Sequence, residues 1–262
     1  MKKTFFSLVV AAIAAFNLNA GEINVFAAAN VTYAFDELKA EFAKSNPGTK
    51  VTVTLGASGA LSTQVKNGAP ADVFMAANMK FVQDLYDTKF AVTKPVVYAQ
   101  GALALFTIRD IDLAKGINAV EGLKAIAIAN PETAPYGKAS IEALKNAKIY
   151  DKVEKNIVIS KSIGDALSQA LSAADVGFIA ASAMHDKKMA EYKEGKNFVL
   201  IDPKLYTPID QGMVILKHGE NNPEAKAFYD FIRSDRAKEI FRKFGYNRSE
   251  EHTSELQSLR EI

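Results

Sequence analysis

From Glu22 onward, short runs of β-branched or apolar residues alternate with segments of helical spacing. The first series predicts three strands, at residues 23–29, 51–55 and 72–77. The helices between them carry apolar residues three or four positions apart, namely Phe35, Leu38 and Phe42 in the first and Leu61 and Val65 in the second. This alternation is typical of a sheet with helices on both faces.

A second series of the same kind begins near residue 101. It predicts four strands, at residues 101–107, 125–130, 156–160 and 176–180. One helix between them carries Ile141 and Leu144, and another covers about residues 164–173. Two closing strands, at residues 198–201 and 212–216, precede C-terminal helices that carry Phe228, Phe231, Ile232, Ile240 and Phe244.

The two series predict an α/β protein made of two doubly wound lobes with a ligand cleft between them. The chain crosses between lobes near residues 98–101 and 210–212, so lobe 1 is expected to comprise residues 21–99 and 211–247, and lobe 2 residues 100–210. Ligands of such folds bind outside the carboxyl ends of the strands. The sequence therefore predicts a site where strands lead into helices.

The two ends of the chain are interpreted separately from the fold. Met1, Lys2 and Lys3 precede an uncharged run at residues 5–16, which predicts a secretory signal peptide at residues 1–20. With no cysteine in the chain, neither a disulfide nor a lipid attached through an N-terminal cysteine is expected. Residues 248–258 resemble the translation of a DNA-sequencing adapter, so residues 248–262 are interpreted as a non-native tail rather than an ordinary polar terminus.

Short segments of small or hydroxylated residues follow four of the strands, and each opens a helix. They are residues 27–30, 56–59, 131–137 and 160–164. A helix start offers unpaired N–H groups and about half a positive charge, so converging starts bind an anion without a countercharge. Asn30 and Ser58 offer side-chain donors as well, whereas Tyr136 and Ile163 would contribute their backbone N–H groups.

Each junction residue also has an ordinary structural interpretation. Asn30 and Ser58 are favoured helix caps whatever the protein does. Tyr136 is equally an aromatic residue packed in a loop, and Ile163 the first apolar residue of a buried helix. The hypothesis of an anion site depends on the four junctions occurring together in two tandem units.

Charge and motif content exclude several classes of function. With 32 Lys and Arg against 30 Asp and Glu, the net charge of +2 indicates neither nucleic acid nor an anionic membrane as a partner. No arginine lies at a junction, so a bidentate clamp for a carboxylate is not expected.

Three other functions remain compatible with these residues. A binding protein for sulfate or another small oxyanion would need the same donors. An exported hydrolase would use Ser58 in the segment Gly56-Ala57-Ser58-Gly59-Ala60, which lacks the final glycine of the Gly-x-Ser-x-Gly elbow. An adaptor without a ligand would have a dry, filled cleft between its lobes.

At these junctions the sequence resembles the periplasmic molybdate-binding proteins of ABC transporters, which have the type II periplasmic-binding-protein fold. The resemblance covers about residues 23–246. Its main markers are Val25-Phe26-Ala27-Ala28-Ala29-Asn30, residues 68–74, residues 129–137, and Lys226-Ala227-Phe228-Tyr229-Asp230-Phe231.

The resemblance implies a periplasmic protein that is not an enzyme and has no cofactor. It implies molybdate or tungstate as the bound ligand, the permease of an ABC transporter as the partner, and a monomer. The residues that match the family's oxyanion ligands are Asn30, Ser58, Tyr136 and Ile163, with a backbone contact from Ala29. One branch of the family has Ser at the position of Asn30 and a ligand Tyr at the position of Ala180, and this chain resembles the branch that lacks both.

Overall fold

A computed structural model of the protein describes residues 21–247. The expected signal peptide at residues 1–20 and the expected non-native tail at residues 248–262 lie outside the described residues. Across residues 21–247, no helix combines the length and the apolar character that crossing a membrane requires.

Within residues 21–247 the chain forms ten strands and eight α-helices. The strands are β1 (Glu22–Ala28), β2 (Lys50–Gly56), β3 (Val73–Ala76), β4 (Val96–Gly101), β5 (Leu103–Phe106), β6 (Ile126–Ala129), β7 (Ile157–Ser160), β8 (Val176–Ala180), β9 (Phe198–Leu200) and β10 (Ile209–Ile215). The helices are α1 (Thr32–Ser45), α2 (Ser58–Lys66), α3 (Met79–Asp87), α4 (Pro135–Asn146), α5 (Tyr150–Val153), α6 (Ile163–Ala170), α7 (Pro223–Ile232) and α8 (Asp235–Lys243). A 3-10 helix, Ala29–Val31, leads from β1 directly into α1.

The strands form two sheets of five. The first has the order β2-β1-β3-β10-β4 and the second the order β7-β6-β8-β5-β9. In the first sheet β1 pairs in parallel with β2 and β3, and in the second β6 pairs in parallel with β7 and β8. Because parallel strands end at the same edge of a sheet, the junctions that follow them are brought together at that edge.

Helices cover both sheets with the apolar residues that the sequence pattern indicated. Helix α1 buries Phe35, Leu38 and Phe42. The rings of Phe42 and Phe228 meet edge to face, with their centroids 5.3 Å apart. Around the second sheet, α4 buries Leu144 among other residues. The predicted α/β class with two lobes is confirmed.

Two features depart from the sequence interpretation. Helix α3 was not predicted, although Asn78 caps it by accepting a hydrogen bond from Phe81 N at 3.2 Å, and although Val82 and Leu85 form its buried face. At the crossings between lobes, β4 was not predicted and β10 begins at Ile209 instead of Gly212; the two strands pair antiparallel, with Ile209 opposite Gly101. Pairing satisfies backbone N–H and C=O groups of both segments.

Candidate functional site

A small cavity, called here the junction cavity, lies where the two lobes face each other. It has a volume of about 10 Å³, roughly the space of one water molecule, and is lined by residues that follow β1, β2 and β3 in the first sheet and by residues that open α4 and α6 in the second. All five residues singled out in the sequence line it, namely Ala29, Asn30, Ser58, Tyr136 and Ile163. The fold therefore brings the four junctions to one place.

The junction cavity is electrically neutral, and its lining residues include the starts of helices. None of the described residues that line it carries a charged side chain, and most of them are alanine, glycine or proline. The N–H groups of Tyr136 and Ile163 belong to the first turns of α4 and α6, where no acceptor exists within the helix. Such a wall stabilises negative charge through oriented N–H dipoles rather than through a countercharge.

Ser58 is the first residue of α2 and not its cap, which is Ala57. Its side chain is 1% exposed, and its hydroxyl oxygen accepts a hydrogen bond from Ala77 N at 2.9 Å. The interpretation of Ser58 as a helix cap only is therefore wrong. Because the oxygen already accepts from the backbone, the hydroxyl proton remains to be donated to a guest in the cavity.

Asn30 lies inside the 3-10 helix, so the interpretation as a cap only is wrong for this residue too. Its side-chain Nδ2 donates to Gln211 Oε1 and to the hydroxyl of Tyr246, both at 2.9 Å. Its Oδ1 is buried and has no hydrogen-bond partner among residues 21–247. Both amide hydrogens are thus engaged by protein groups, and the backbone N–H is the donor that Asn30 retains.

Tyr136 is buried in α4, so it is not a loop aromatic. Its hydroxyl lies beside the strands that connect the lobes. A Cβ added to Gly101 would lie 2.1 Å from the Tyr136 hydroxyl oxygen, and the same Cβ would lie 2.8 Å from Gln211 Nε2. The hydroxyl itself has no hydrogen bond of good geometry within residues 21–247. Burial raises the pKa of Tyr136 well above its usual value, which keeps the phenol neutral.

A buried polar network behind the junction cavity was missed by sequence reasoning. Gln211, on β10, is fully buried and bonds Asn30, and the Tyr98 hydroxyl donates to the same Gln211 oxygen at 3.4 Å. The Tyr246 hydroxyl donates to Asn30 O at 2.9 Å, and Ser182 Oγ donates to the same carbonyl at 3.0 Å. These contacts join residues more than a hundred positions apart, so no local pattern signals them.

The two lobes touch across the junction cavity. Gly59 N, in α2, donates to Thr133 O at 2.8 Å in the loop before α4. The Ser182 hydroxyl, which follows β8 of the second sheet, bonds the Asn30 carbonyl of the first lobe. A guest in the cavity would therefore be held between two lobes that are in direct contact.

The geometry does not support a hydrolase at Ser58. His218 Nδ1 lies 2.9 Å from Asp72 Oδ1 at the amino end of β3, whereas Ser58 follows the carboxyl end of β2. Among residues 21–247, no histidine hydrogen-bonds Ser58. In the same range no group of three or more His, Asp or Glu side chains could hold a metal cation.

Comparisons with known proteins agree with this architecture. A family model described as bacterial extracellular solute-binding protein matches residues 23–247. The molybdate-binding protein ModA of Rhodobacter capsulatus is 36% identical over 230 residues, which covers 87% of this chain and 88% of the relative. The solved periplasmic molybdate-binding protein of Azotobacter vinelandii superposes with a TM-score of 0.79 at 32% identity, covering 87% of this chain and 100% of that one.

A more distant structure shares the fold alone. The sulfate-binding protein SubI of Mycobacterium tuberculosis H37Rv matches with a TM-score of 0.70 at 15% identity, and 88% of each chain is covered. The family model spans nearly all of residues 21–247, and the Rhodobacter relative passes 30% identity over most of both chains. This chain belongs to the bacterial extracellular solute-binding proteins.

Proposed function

We propose that the protein captures molybdate or tungstate outside the inner membrane and delivers it to the membrane permease of an ABC transporter. One observation carries the proposal: four helix starts from two lobes meet at a small, neutral cavity. The relatives named for molybdate binding support the choice of ion. Export through the signal peptide at residues 1–20, and action as a monomer, belong to the same proposal.

The proposed ligand groups are all neutral donors. They are the Ser58 hydroxyl and the backbone N–H groups of Ala29, Asn30, Tyr136 and Ile163. A doubly charged XO4 anion presents only acceptors, so each of its oxygens exchanges water for an N–H or O–H group. The absence of a charged side chain among the described lining residues suits a cargo that must later be released.

We propose no catalytic step at this cavity. Ser58 lacks a base in the described structure, and its oxygen is held by Ala77 N. We propose instead that the lobes at residues 21–99 with 211–247 and at residues 100–210 close around the ion. Closure would then present the surface that the permease recognises, without a cofactor or any chemical step.

The expected result of a thermal melt is stabilisation by molybdate or tungstate. A ligand at about a hundred times its Kd adds about 2.7 kcal/mol, which raises Tm by several degrees in a chain of this size. Sulfate and phosphate serve as matched anions. Phosphate is included because the unpartnered Asn30 Oδ1 beside the cavity is an acceptor for the proton of hydrogen phosphate.

The melts with the four anions distinguish the candidate functions. Stabilisation by molybdate or tungstate alone supports the proposal and ranks the two ions. An equal effect of sulfate would replace it by a general oxyanion carrier. No shift with any of the four anions would overturn the oxyanion proposal altogether.

A further inference from the structure

Gly59 makes the direct backbone contact between α2 in the first lobe and the loop before α4 in the second. It is the second residue of α2 and is buried. Its N–H donates to Thr133 O at 2.8 Å. Gly59 is not among the residues that line the junction cavity, so its contact is with the opposite lobe rather than with the cargo.

The contact leaves little room for a side chain. A Cβ at Gly59 would lie 3.0 Å from Thr133 Cα, 3.1 Å from Thr133 O and 3.0 Å from Phe81 Cζ. The Phe81 ring belongs to α3 of the same lobe and can turn aside at its tip. Thr133 offers only backbone atoms, so its contact is relieved by a shift of a few tenths of an ångström between α2 and the loop of the opposite lobe.

Gly164 provides an internal comparison. It is the second residue of α6, as Gly59 is of α2, and it also faces the other lobe. A Cβ at Gly164 would lie 3.9 Å from Ala29 Cβ and 3.7 Å from Ser162 Oγ, which is ordinary van der Waals contact. The two glycines thus occupy matched positions, but an added Cβ would be crowded only at Gly59.

We propose that Gly59 is the closure residue of this protein: its missing side chain and its N–H bond to Thr133 allow the two lobes to meet over the bound anion. This inference rests on the proposed function, because it concerns how tightly the cargo is enclosed. It assigns to Gly59 a role in affinity without any contact with the ligand.

The proposal predicts that Gly59→Ala has opposite effects on the stability of the separated and of the closed arrangement of the lobes. Alanine is favoured over glycine inside a helix, so Gly59→Ala leaves the separated lobes as stable as before or more so. The same change weakens the closed arrangement by crowding Thr133 and lengthening the hydrogen bond. Because apparent affinity scales with the population of the closed form, Kd rises.

The test compares Gly59→Ala, Gly59→Val and Gly164→Ala with the wild type, each as the full exported chain purified from the periplasm. Molybdate titration calorimetry gives Kd, and melts without molybdate give the stability of each variant. We expect Gly59→Ala to bind about tenfold more weakly, as for the loss of one ordinary hydrogen bond. We expect Gly59→Val to bind more weakly still, Gly164→Ala to stay within about twofold, and the melts without molybdate to show no loss in Gly59→Ala.

Small-angle X-ray scattering at saturating molybdate supplies a second readout. A larger radius of gyration for Gly59→Val than for the wild type is the expected result. Unchanged Kd and unchanged dimensions in both Gly59 variants would overturn the proposal. So would a parallel loss of unliganded stability, since that outcome means damage to α2 itself. Failure of the wild type to bind molybdate would instead contradict the proposed function, and the calorimetry separates the two results.

Discussion

Ser58→Asp is expected to abolish oxyanion binding while leaving the protein folded. Ser58 begins α2, where a carboxylate is favoured by the helix dipole. The new carboxylate can accept from Ala77 N, as the Ser58 hydroxyl oxygen does now. It also places a negative charge at a cavity that the described structure lines with neutral groups. Two unit charges about 4 Å apart repel by about 4 kcal/mol at an effective dielectric constant near 20, so a doubly charged ion is strongly excluded.

The measurement is calorimetric titration with molybdate, paired with a melt of the unliganded variant. We expect Kd to rise at least about a thousandfold, equivalent to about 4 kcal/mol. Ser58→Ala should be intermediate, about ten- to a hundredfold weaker, because one hydrogen bond to a charged group is lost. Ser62→Ala, a buried serine of the same helix that does not line the cavity, is the matched control and should bind normally. Binding of molybdate by Ser58→Asp with an affinity near that of the wild type would contradict the assignment of Ser58.

The junctions could be found from sequence because the determinants are local. Each is a short polar or small segment between an apolar strand and a helix, and the βαβ rule places the ends of parallel strands at one edge. That rule brings Ser58 and Asn30 together in one lobe, and Tyr136 and Ile163 together in the other. The structure places all four around one cavity.

The orientation of Asn30 could not be found in this way. A residue at a junction is visible in the sequence, but the direction of its amide is set by Gln211 and Tyr246, far away along the chain. The sequence suggested a side-chain donor for the anion. The fold uses both amide hydrogens elsewhere and leaves the backbone N–H of Asn30 for that role.

Helix α3 was missed for a different reason. Asn78, Met79, Val82 and Leu85 carry a cap and a helical apolar spacing within nine residues, so the signal was present. The sequence of the crossing strand β4, in contrast, contains no signal that it pairs with β10. Its partner β10 lies about a hundred residues later, and only closure of the first sheet brings them together.

The network that joins Asn30 to the crossing strands also makes the protein sensitive to alkaline pH. Tyr98, Tyr136 and Tyr246 are buried, and burial raises the pKa of all three above the usual value of 10.0. The charge of one ionised tyrosine would raise the pKa of its neighbours further. The unfolded chain therefore loses these protons near pH 10, whereas the folded chain retains them.

The sign of the effect follows from proton linkage. Below pH 10 both states hold the protons and stability is unaffected. Above it the unfolded state binds fewer protons, so the free energy of unfolding falls by about 1.4 kcal/mol per pH unit for each tyrosine whose pKa is raised in the folded state. The loss continues until pH passes the raised pKa values of the folded state. We expect a steep loss of stability from about pH 10 upward, measured by urea unfolding across the range.

Tyr98→Phe isolates one of the three contributions. The Tyr98 hydroxyl makes a long hydrogen bond, 3.4 Å to Gln211, and its ring packs on Phe241 with centroids 5.2 Å apart, a contact that phenylalanine retains. Stability at pH 7 should therefore change by only about 1 kcal/mol. Above pH 10 the free energy of unfolding should fall less steeply, by up to about 1.4 kcal/mol per pH unit, because one fewer phenol retains its proton in the folded state. A slope equal to that of the wild type would mean that Tyr98 ionises without cost in the folded protein, and the account of a closed, water-excluding network behind the junction cavity would then be wrong.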